Sequence, residues 1–267
     1  MPPTDLCVES AGIGEPAVVL VHAGIADRHQ WDREFTRFAT TNRVVRYDVR
    51  GFGASPDPAR DYYDHDDLLG VMDDAGIERA VLVGSSNGGR IVLDTAVTAP
   101  DRVAAMVLAG SALPGITLAD DVRADLDAEG EALDAGGIDR ALAINLRWFV
   151  DGVGRSADDV DADVRSRVTA WLRELLPRQA AQARAADSGA QLVEPLVRDR
   201  LGDVDIPTLV LVGSHDAPGF DRIARHLADH LPRARLVEVA GAAHLINLEQ
   251  PARFAALVDD VLAAHRV

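Results

Sequence analysis

The stretch that decides the fold is VLVGSSNGG, residues 81–89. Its valine-rich start is typical of a strand buried on both faces, and a helical pattern begins directly after it. The stretch contains the pattern G-x-S-x-G with Ser86 at its centre, and Gly84 and Gly88 leave room for a strained turn. Such a turn lifts the serine hydroxyl above the sheet and places it at a helix N-terminus, where free N–H groups favour negative charge. We therefore interpret Ser86 as a nucleophile.

Outward from this stretch, short apolar runs alternate with helical patterns. The predicted strands are Ala17–Val21, Arg43–Tyr47, Ala80–Val83, Val103–Ala109, Thr208–Val212 and Arg235–Val239. The predicted helices are Leu68–Ala75, Gly88–Thr98, Asp221–His230 and Pro251–Ala264. Because the connections are long enough for crossover helices, the alternation indicates a mainly parallel α/β sheet flanked by helices.

The alternation breaks between residues 111 and 203, where no convincing strand occurs. Helical patterns replace it, over Ala119–Ala135, Asp139–Val150, Asp161–Arg184 and Ala190–Arg200. A long helical insertion between two strands predicts a cap over the carboxyl edge of the sheet, where open α/β sheets bind their ligands. We expect an α/β core from residues 1–110 and 204–267 and a helical cap from residues 111–203.

Composition and charge limit the classes of partner. The formal net charge is −16, and such an acidic surface repels nucleic acid and anionic membranes. The single cysteine, Cys7, rules out an internal disulfide framework and is typical of a reducing compartment. No secretory signal pattern opens the chain, and no apolar run approaches the roughly 20 residues of a membrane helix. We expect a cytoplasmic protein.

A serine nucleophile needs a base and a group that orients the base. Asp216 follows the predicted strand that ends at Val212, and His244 follows the one that ends at Val239. With Ser86, both then gather at the carboxyl edge of the sheet in the order Ser, Asp, His. Asp221 is an alternative orienting acid, and the neighbouring His215 is expected to point elsewhere.

A developing oxyanion needs two N–H donors. One is predicted to be the backbone N–H of Asn87, directly after the nucleophile. The other should come from the loop after the strand Ala17–Val21, where Gly24 is the first choice and Ala23 or Ile25 are alternatives. His22 is expected to hold this loop in place.

Four segments, taken together, resemble the α/β-hydrolase family. They are Leu20–Gly24 with Trp31 and Asp32 downstream, Tyr47–Ser55, Gly84–Gly89 and Gly241–Pro251. The resemblance implies an α/β-hydrolase fold with an eight-stranded or slightly curtailed sheet, a helical cap between the sixth and seventh family strands, and no cofactor or metal. Two departures stand out: His22-Ala23-Gly24 replaces the commoner His-Gly pair, and Asn87 stands where Leu, Met or Gln is usual.

Within the family, the chain is similar to small-molecule esterases and 3-oxoadipate enol-lactonases. The expected reaction is two-step acyl transfer on a small ester or lactone, in a pocket lined by Ile25, Trp148, Phe149 and Leu245. Carbon–carbon bond hydrolysis and perhydrolysis use the same triad and stay as alternatives. A ligand receptor on this scaffold is an alternative of another class. The expected partner is the small-molecule substrate, with no nucleic acid or membrane, and the sequence leaves a homodimer open.

Overall fold

The computed structural model describes residues 5–184 and 189–266. The predicted domain bounds also take in residues 1–4, 185–188 and 267, which lie outside the described residues. Within the described ranges the strands are β1 Val8–Ala11, β2 Ala17–Val21, β3 Val44–Tyr47, β4 Ala80–Ser85, β5 Val103–Ala109, β6 Thr208–Gly213 and β7 Ala234–Val239. They form one seven-stranded sheet in the order β1-β3-β2-β4-β5-β6-β7.

The sheet is parallel except at one edge. Strand β1 runs antiparallel to β3, and every other neighbouring pair is parallel. This is an α/β-hydrolase sheet of the curtailed kind, with seven strands in the described residues instead of eight. The parallel strands start on one edge and end on the other, so the residues that follow β2, β4, β5, β6 and β7 share the carboxyl edge.

Both faces of the sheet are buried, and for that reason its central strands are continuously apolar. Side chains alternate between the faces along a strand. Val19 and Leu82 pack into one hydrophobic cluster, and Val18 and Val81 pack into another on the opposite face. The Val-rich runs in the sequence therefore correspond to strands covered by helices on both sides.

The helices follow the predicted alternation, with two additions. The α-helices are α1 Asp32–Phe38, α2 Asp64–Asp74, α3 Asn87–Thr98, α4 Asp120–Asp134, α5 Ile138–Leu146, α6 Ala162–Arg184, α7 Phe220–His230, α8 Ile246–Glu249 and α9 Pro251–Ala263. The two added helices are α1 and α8, and strand β1 was not among the predicted strands. Helix α2 begins four residues before the predicted start at Leu68, and Pro251 occupies the first position of α9 as expected.

Helices α4, α5 and α6 lie in the predicted cap, between β5 and β6. The predicted helix Asp139–Val150 is divided, because α5 ends at Leu146 and a π-helix follows over Arg147–Asp151. The predicted helix Ala190–Arg200 is wrong. Ala190 pairs with Tyr62 in an isolated bridge, and only a 3-10 helix forms, over Val197–Asp203.

The physical reason for that error is Pro195. Proline lacks the N–H of a helical hydrogen bond and disfavours helical backbone at the residue before it. The apolar spacing of this segment instead serves to bury Val193, Val197 and Leu201 in the main core cluster.

The cap helices pack on the carboxyl edge of the sheet. A third hydrophobic cluster joins Leu142, Leu172 and Leu176 of the cap to Ala23, Leu245 and Leu248 of the core. From α6, Arg167 bonds to Asp32 and Arg178 bonds to Asp57 at 2.7 Å. Across the described residues, no helix combines the length and apolar character needed to span a bilayer.

Candidate active site

Ser86 occupies a strained turn between β4 and α3. Its φ of 52° makes it the single non-glycine residue with positive φ in the described chain. A Cβ on Gly84 would lie 2.3 Å from the carbonyl oxygen of Gly88, and one on Gly88 would lie 2.2 Å from that of Val21. Neither site accepts a larger residue without backbone movement. The turn therefore has the conformation expected of a nucleophile elbow.

His244 and Asp216 form a buried pair. The His244 Nδ1 lies 2.9 Å from Asp216 Oδ1, and both side chains are 2 % exposed. A carboxylate only accepts hydrogen bonds, so Nδ1 carries a proton, and in the neutral imidazole Nε2 is then the unprotonated nitrogen. Asp216 Oδ1 also accepts from the backbone N–H of Ala217 at 2.8 Å. The imidazole is thus held in the tautomer that acts as a base through Nε2.

The end of β5 connects this pair to the elbow. The Ser86 N–H donates to the carbonyl of Ala109 at 2.9 Å. The next residue, Gly110, has a φ of 53°, and a Cβ there would lie 3.0 Å from His244 Nδ1 and 3.2 Å from Asp216 Oδ2. The three predicted residues therefore lie around one short piece of backbone at the carboxyl edge.

The hydroxyl and the base do not bond to each other in this structure. Among the described residues, the His244 ring has one hydrogen bond, to Asp216, and none to Ser86. In enzymes without substrate, catalytic hydrogen bonds are commonly long and tighten only in the complex. The structure therefore pairs His244 with Asp216 at the edge of the sheet where Ser86 lies, and the role of the three residues as a triad stays a prediction.

The loop after β2 offers two candidate backbone donors beside that of Asn87. The N–H of Ala23 is already engaged, because it donates to Gln30 Oε1 at 2.8 Å. A Cβ on Gly24 would lie 3.6 Å from the Cβ of Asn87. The N–H groups of Gly24 and Asn87 have no acceptor among the described residues. The engagement of Ala23 leaves Gly24 and Ile25 as the donors that this loop can supply.

A chain of buried amides links this loop to the segment that carries His244, and sequence reasoning missed it. Gln30 Nε2 donates to Asn247 Oδ1 at 3.1 Å, and Asn247 Nδ2 donates to the carbonyl of Gln30 at 3.0 Å and to Glu34 Oε2 at 3.2 Å. All three side chains are buried. Burial raises the pKa of Glu34 to about 7. The only sequence signal was the position of Asn247 within the histidine segment.

Two aromatic rings enclose the imidazole. The Phe149 ring centroid lies 5.0 Å from that of His244, and the Phe220 centroid lies 4.4 Å from it. Phe149 belongs to the π-helix, and π-helical turns are frequent at functional sites. Phe220 was not predicted, since its approach depends on how α7 packs.

The other predicted pocket residues lie close by in different settings. Trp148 is buried and its indole N–H donates to Asp125 Oδ2 at 2.8 Å. Leu245 is buried in the cluster shared by cap and core, and the half-buried Ile25 contacts that cluster and the main core. Contact of these side chains with a substrate stays a prediction.

The alternative residues have other partners. His22 Nδ1 donates to the Ala23 carbonyl at 2.8 Å while Nε2 accepts from the Val49 N–H at 2.9 Å, so the ring ties two loops together. Burial lowers the pKa of His22, which keeps it neutral. His215 contacts the carbonyl of Val153 through Nδ1. Asp221 bonds to Arg225 and the Gly219 N–H, away from His244.

A cleft of about 550 Å³ lies elsewhere, at the amino ends of the strands. Its lining residues are Arg79, Pro100, Asp101, Val103, Ala104, Asp203, Asp205, Ile206, Pro207, Arg233 and His265. None of them belongs to the elbow or the histidine pair. In the described part of the chain, no three His, Cys, Asp or Glu side chains are grouped so that they could hold a metal ion.

A model of the alpha/beta hydrolase fold family matches residues 16–251. The match spans most of the chain, including the elbow, Asp216 and His244. The chain therefore belongs to the alpha/beta hydrolase fold family.

Curated relatives and solved structures agree with that assignment. The chain is 28% identical over 242 residues to 3-oxoadipate enol-lactonase 1 of Acinetobacter baylyi, covering 90% of this chain and 85% of that protein. It is 30% identical over 275 residues to 2-hydroxymuconate semialdehyde hydrolase of Pseudomonas sp. strain CF600, covering 96% and 89%. The crystal structure of the enol-lactonase from Burkholderia xenovorans LB400 matches with a TM-score of 0.76 at 26% identity, covering 97% and 96%. The chain is a hydrolase enzyme.

Proposed function

We propose that this enzyme is a serine hydrolase that cleaves small esters or lactones with Ser86 as nucleophile, His244 as base and Asp216 as orienting acid. The observation that carries the proposal is the buried His244–Asp216 hydrogen bond beside a serine with positive φ. A serine in that conformation is under strain, which proteins retain mainly at functional sites.

In the first half of the reaction, the Ser86 oxygen attacks the carbonyl carbon and its proton passes to His244 Nε2. The carbonyl oxygen becomes an anion that accepts hydrogen bonds from the N–H groups of Asn87 and Gly24. Asp216 stabilises the imidazolium. His244 then gives its proton to the leaving oxygen, and the ester C–O bond breaks to leave an acyl-enzyme.

In the second half, His244 takes a proton from water, and the resulting hydroxide attacks the acyl carbon. The same N–H groups hold the oxyanion. The bond to Ser86 breaks, the serine oxygen regains its proton from His244, and the carboxylic acid leaves. For a lactone, the leaving oxygen stays attached to the acyl group and both emerge as one hydroxy acid.

The substrate class rests on the relatives. They include the enol-lactonase of Acinetobacter baylyi, and a further relative is a pimeloyl-[acyl-carrier protein] methyl ester esterase of Nitrosomonas europaea, 28% identical over 254 residues. Both act on acyl–oxygen bonds. The buried aromatic surroundings of His244 suit an organic substrate held away from water.

Carbon–carbon bond hydrolysis is the second candidate, because the relative from Pseudomonas sp. strain CF600 is named a semialdehyde hydrolase. Against it, the loop after His22 carries Ala23-Gly24 instead of the glycine-rich run expected of that branch. A perhydrolase or a ligand receptor on the same scaffold would share the triad.

The test uses wild type, Ser86→Ala and the matched control Ser85→Ala, in which the adjacent buried hydroxyl is removed. Each is treated with a fluorophosphonate probe and assayed on p-nitrophenyl esters, lactones, ring-cleavage products and hydrogen peroxide with a carboxylic acid. We expect labelling and ester or lactone turnover in wild type and Ser85→Ala, and a loss of about four orders of magnitude or more in Ser86→Ala.

Other outcomes contradict the proposal. Equal turnover in Ser86→Ala and wild type would remove the nucleophile assignment. Turnover confined to ring-cleavage products or to peracid formation would favour those reactions. Labelling with no turnover of any substrate would favour a receptor.

A further inference from the structure

The side chain of Asn87, which directly follows the nucleophile, has a fixed orientation. Its Oδ1 lies 3.0 Å from the Nε of Arg90, one turn further along α3. A guanidinium group only donates hydrogen bonds, so the amide oxygen must face Arg90. The amide NH₂ therefore points away from Arg90. Because the amide oxygen and nitrogen have similar shapes, the hydrogen bond to Arg90 is what distinguishes them.

Arg90 is itself held from two sides. Its NH1 donates to Asp94 Oδ2 at 2.6 Å, its NH2 donates to Asp64 Oδ2, and all three side chains are buried. Burial raises the pKa of Asp94 to about 6, whereas the two carboxylates raise that of Arg90 against its own desolvation. With its two terminal nitrogens bound, the guanidinium cannot rotate away, and the Asn87 amide is held with it.

The NH₂ group of Asn87 is unused. It has no acceptor among the described residues, and its nitrogen is open to solvent. Asn87 is half-buried, whereas Arg90 behind it is buried. The Cβ of Asn87 lies 3.6 Å from the Cβ position of Gly24, so this side chain begins at the two predicted oxyanion donors.

The direction of the two halves of a substrate follows from the triad. His244 protonates the leaving group, so the leaving group lies on the side of His244, next to Phe149 and Phe220. The acyl group extends the other way, past the residue after the nucleophile. The hydrogen bond to Arg90 fixes the Asn87 amide, and the Asn87 Cβ lies 3.6 Å from the Cβ position of Gly24. A fixed donor favours an acyl group that carries an acceptor over one that does not.

We propose that the Asn87 side-chain amide is a specificity-determining donor, and that the acyl group of the substrate carries an acceptor oxygen near the scissile carbonyl. This inference rests on the proposed function, because it takes Ser86 as the nucleophile. An oxygenated acyl group is thereby the preferred substrate class over a plain hydrocarbon chain. Arg90 acts as a positioning residue through Asn87.

The test compares two esters of the same shape, p-nitrophenyl methoxyacetate and p-nitrophenyl butyrate, which differ by one oxygen in place of a methylene. Their ratio of kcat/KM is measured in wild type and in Asn87→Leu. Intrinsic reactivity cancels when the same ratio is compared between two proteins. We expect the ratio to fall about tenfold in Asn87→Leu, the usual effect of one lost hydrogen bond.

Two further variants keep the test decisive. Asn87→Asp keeps the acceptor for Arg90 and removes the donors, so its ratio should fall as well, and Arg90→Met should lower the ratio by freeing the amide. The matched control is Asn42→Leu, because Asn42 is a buried amide that bonds to the carbonyl of Pro16, away from the site. Its ratio should equal that of wild type.

The possible results separate the two proposals. If wild type hydrolyses both esters and the ratio changes less than twofold in Asn87→Leu and Asn87→Asp, Asn87 has no role in specificity and the proposed function stands. If wild type hydrolyses neither ester and is not labelled by the fluorophosphonate, both proposals fall together.

Discussion

At the scale of single residues, the site depends on where side chains are missing. Gly88 faces the backbone of β2 so closely that even a methyl group has no room. This absence lets the start of α3 approach β2 and brings Asn87 beside Gly24. The glycines of the elbow therefore position the predicted oxyanion donors as well as the proposed nucleophile.

Gly88→Ala should destabilise the protein and remove activity, because its Cβ would lie 2.2 Å from the carbonyl oxygen of Val21. Overpacking of this kind costs about 1–3 kcal/mol or more. Gly130→Ala is the control, since Gly130 lies exposed in α4 with nothing within 4 Å of the new methyl group. That change should stabilise by about 0.5–1 kcal/mol. Urea unfolding and an esterase assay measure both effects, and equal stability changes would contradict the argument.

Glu34 should give the stability a pH dependence of its own. Its pKa in the folded protein is raised to about 7 from 4.5. Below pH 4.5 both states hold the proton; above it the unfolded state releases the proton first and is stabilised, so folding stability falls until about pH 7. Glu34→Gln keeps an oxygen for Asn247 and removes this titration. Its stability relative to wild type should rise by up to about 3 kcal/mol between pH 4.5 and 7.

The measurement for Glu34 is denaturant unfolding of both proteins across that pH range. Because other groups titrate in both proteins alike, the difference between the two curves isolates Glu34. If the stability difference stays constant, or falls with rising pH, the pKa of the Glu34 carboxyl is not raised in the folded state.

At the scale of elements, local composition predicted the parallel strands more accurately than the cap helices. Strands β2 and β5 have their predicted bounds. In a sheet covered on both faces, a short continuous apolar run forms a central strand. Strand β1 is half-exposed, so it lacks such a run. In residues 190–200 the apolar spacing suggested a helix that Pro195 prevents.

The site divides in the same way. Ser86, Asp216 and His244 were predictable because each follows a strand, and the edge of a parallel sheet brings such residues together. Gln30 and Phe220 were not, because their roles depend on how α1, α7 and the loops pack. No local pattern distinguishes a buried glutamine that holds a loop from one in solvent.

The buried amide chain should affect catalysis more than binding. Gln30→Leu removes the acceptor for the Ala23 N–H and the donor to Asn247, which frees the loop that presents Gly24. An oxyanion donor is needed most in the transition state, so kcat should fall about tenfold or more while KM changes little. Asn42→Leu, another buried amide lost, should leave kcat unchanged.

A double-mutant cycle checks that the two amides act together. If Gln30→Leu and Asn247→Leu act through one chain, the double variant should lose much less kcat than the product of the single losses. Independent, multiplicative losses would mean that the two side chains support the site separately.

At the scale of the whole molecule, the core and the residues after α5 meet at the loop that carries His244. Arg155 follows the π-helix, and its guanidinium donates to the carbonyls of Val150 and Asp151 and to that of Gly241 in the histidine loop. It also pairs with Glu249 at 2.7 Å, with both side chains under one-tenth exposed. Glu249 in turn accepts from the Ala243 N–H at 2.7 Å. The Arg155–Glu249 ion pair therefore joins the predicted cap to the histidine loop.

Arg155→Met should accordingly be among the most destabilising single changes outside the apolar core. It leaves the Glu249 carboxylate buried without its partner, a loss of about 3–5 kcal/mol. In a chain of this size the melting temperature should drop on the order of 10 °C. The control Arg225→Met breaks an exposed pair with Asp221 and should cost at most about 1 kcal/mol.

Adding Glu249→Gln to Arg155→Met removes the buried, unpaired carboxylate charge and keeps an oxygen that accepts from the Ala243 N–H. The double variant should therefore regain part of the lost stability. The measurement is calorimetry of wild type and the three variants, with esterase activity recorded on each. Activity should depend on whether the histidine loop keeps its position. It should be lost in Arg155→Met, partly regained in the double variant and unchanged in Arg225→Met. If Arg155→Met melts at the same temperature as wild type yet loses activity, the ion pair positions the histidine loop but does not hold the cap segment to the core.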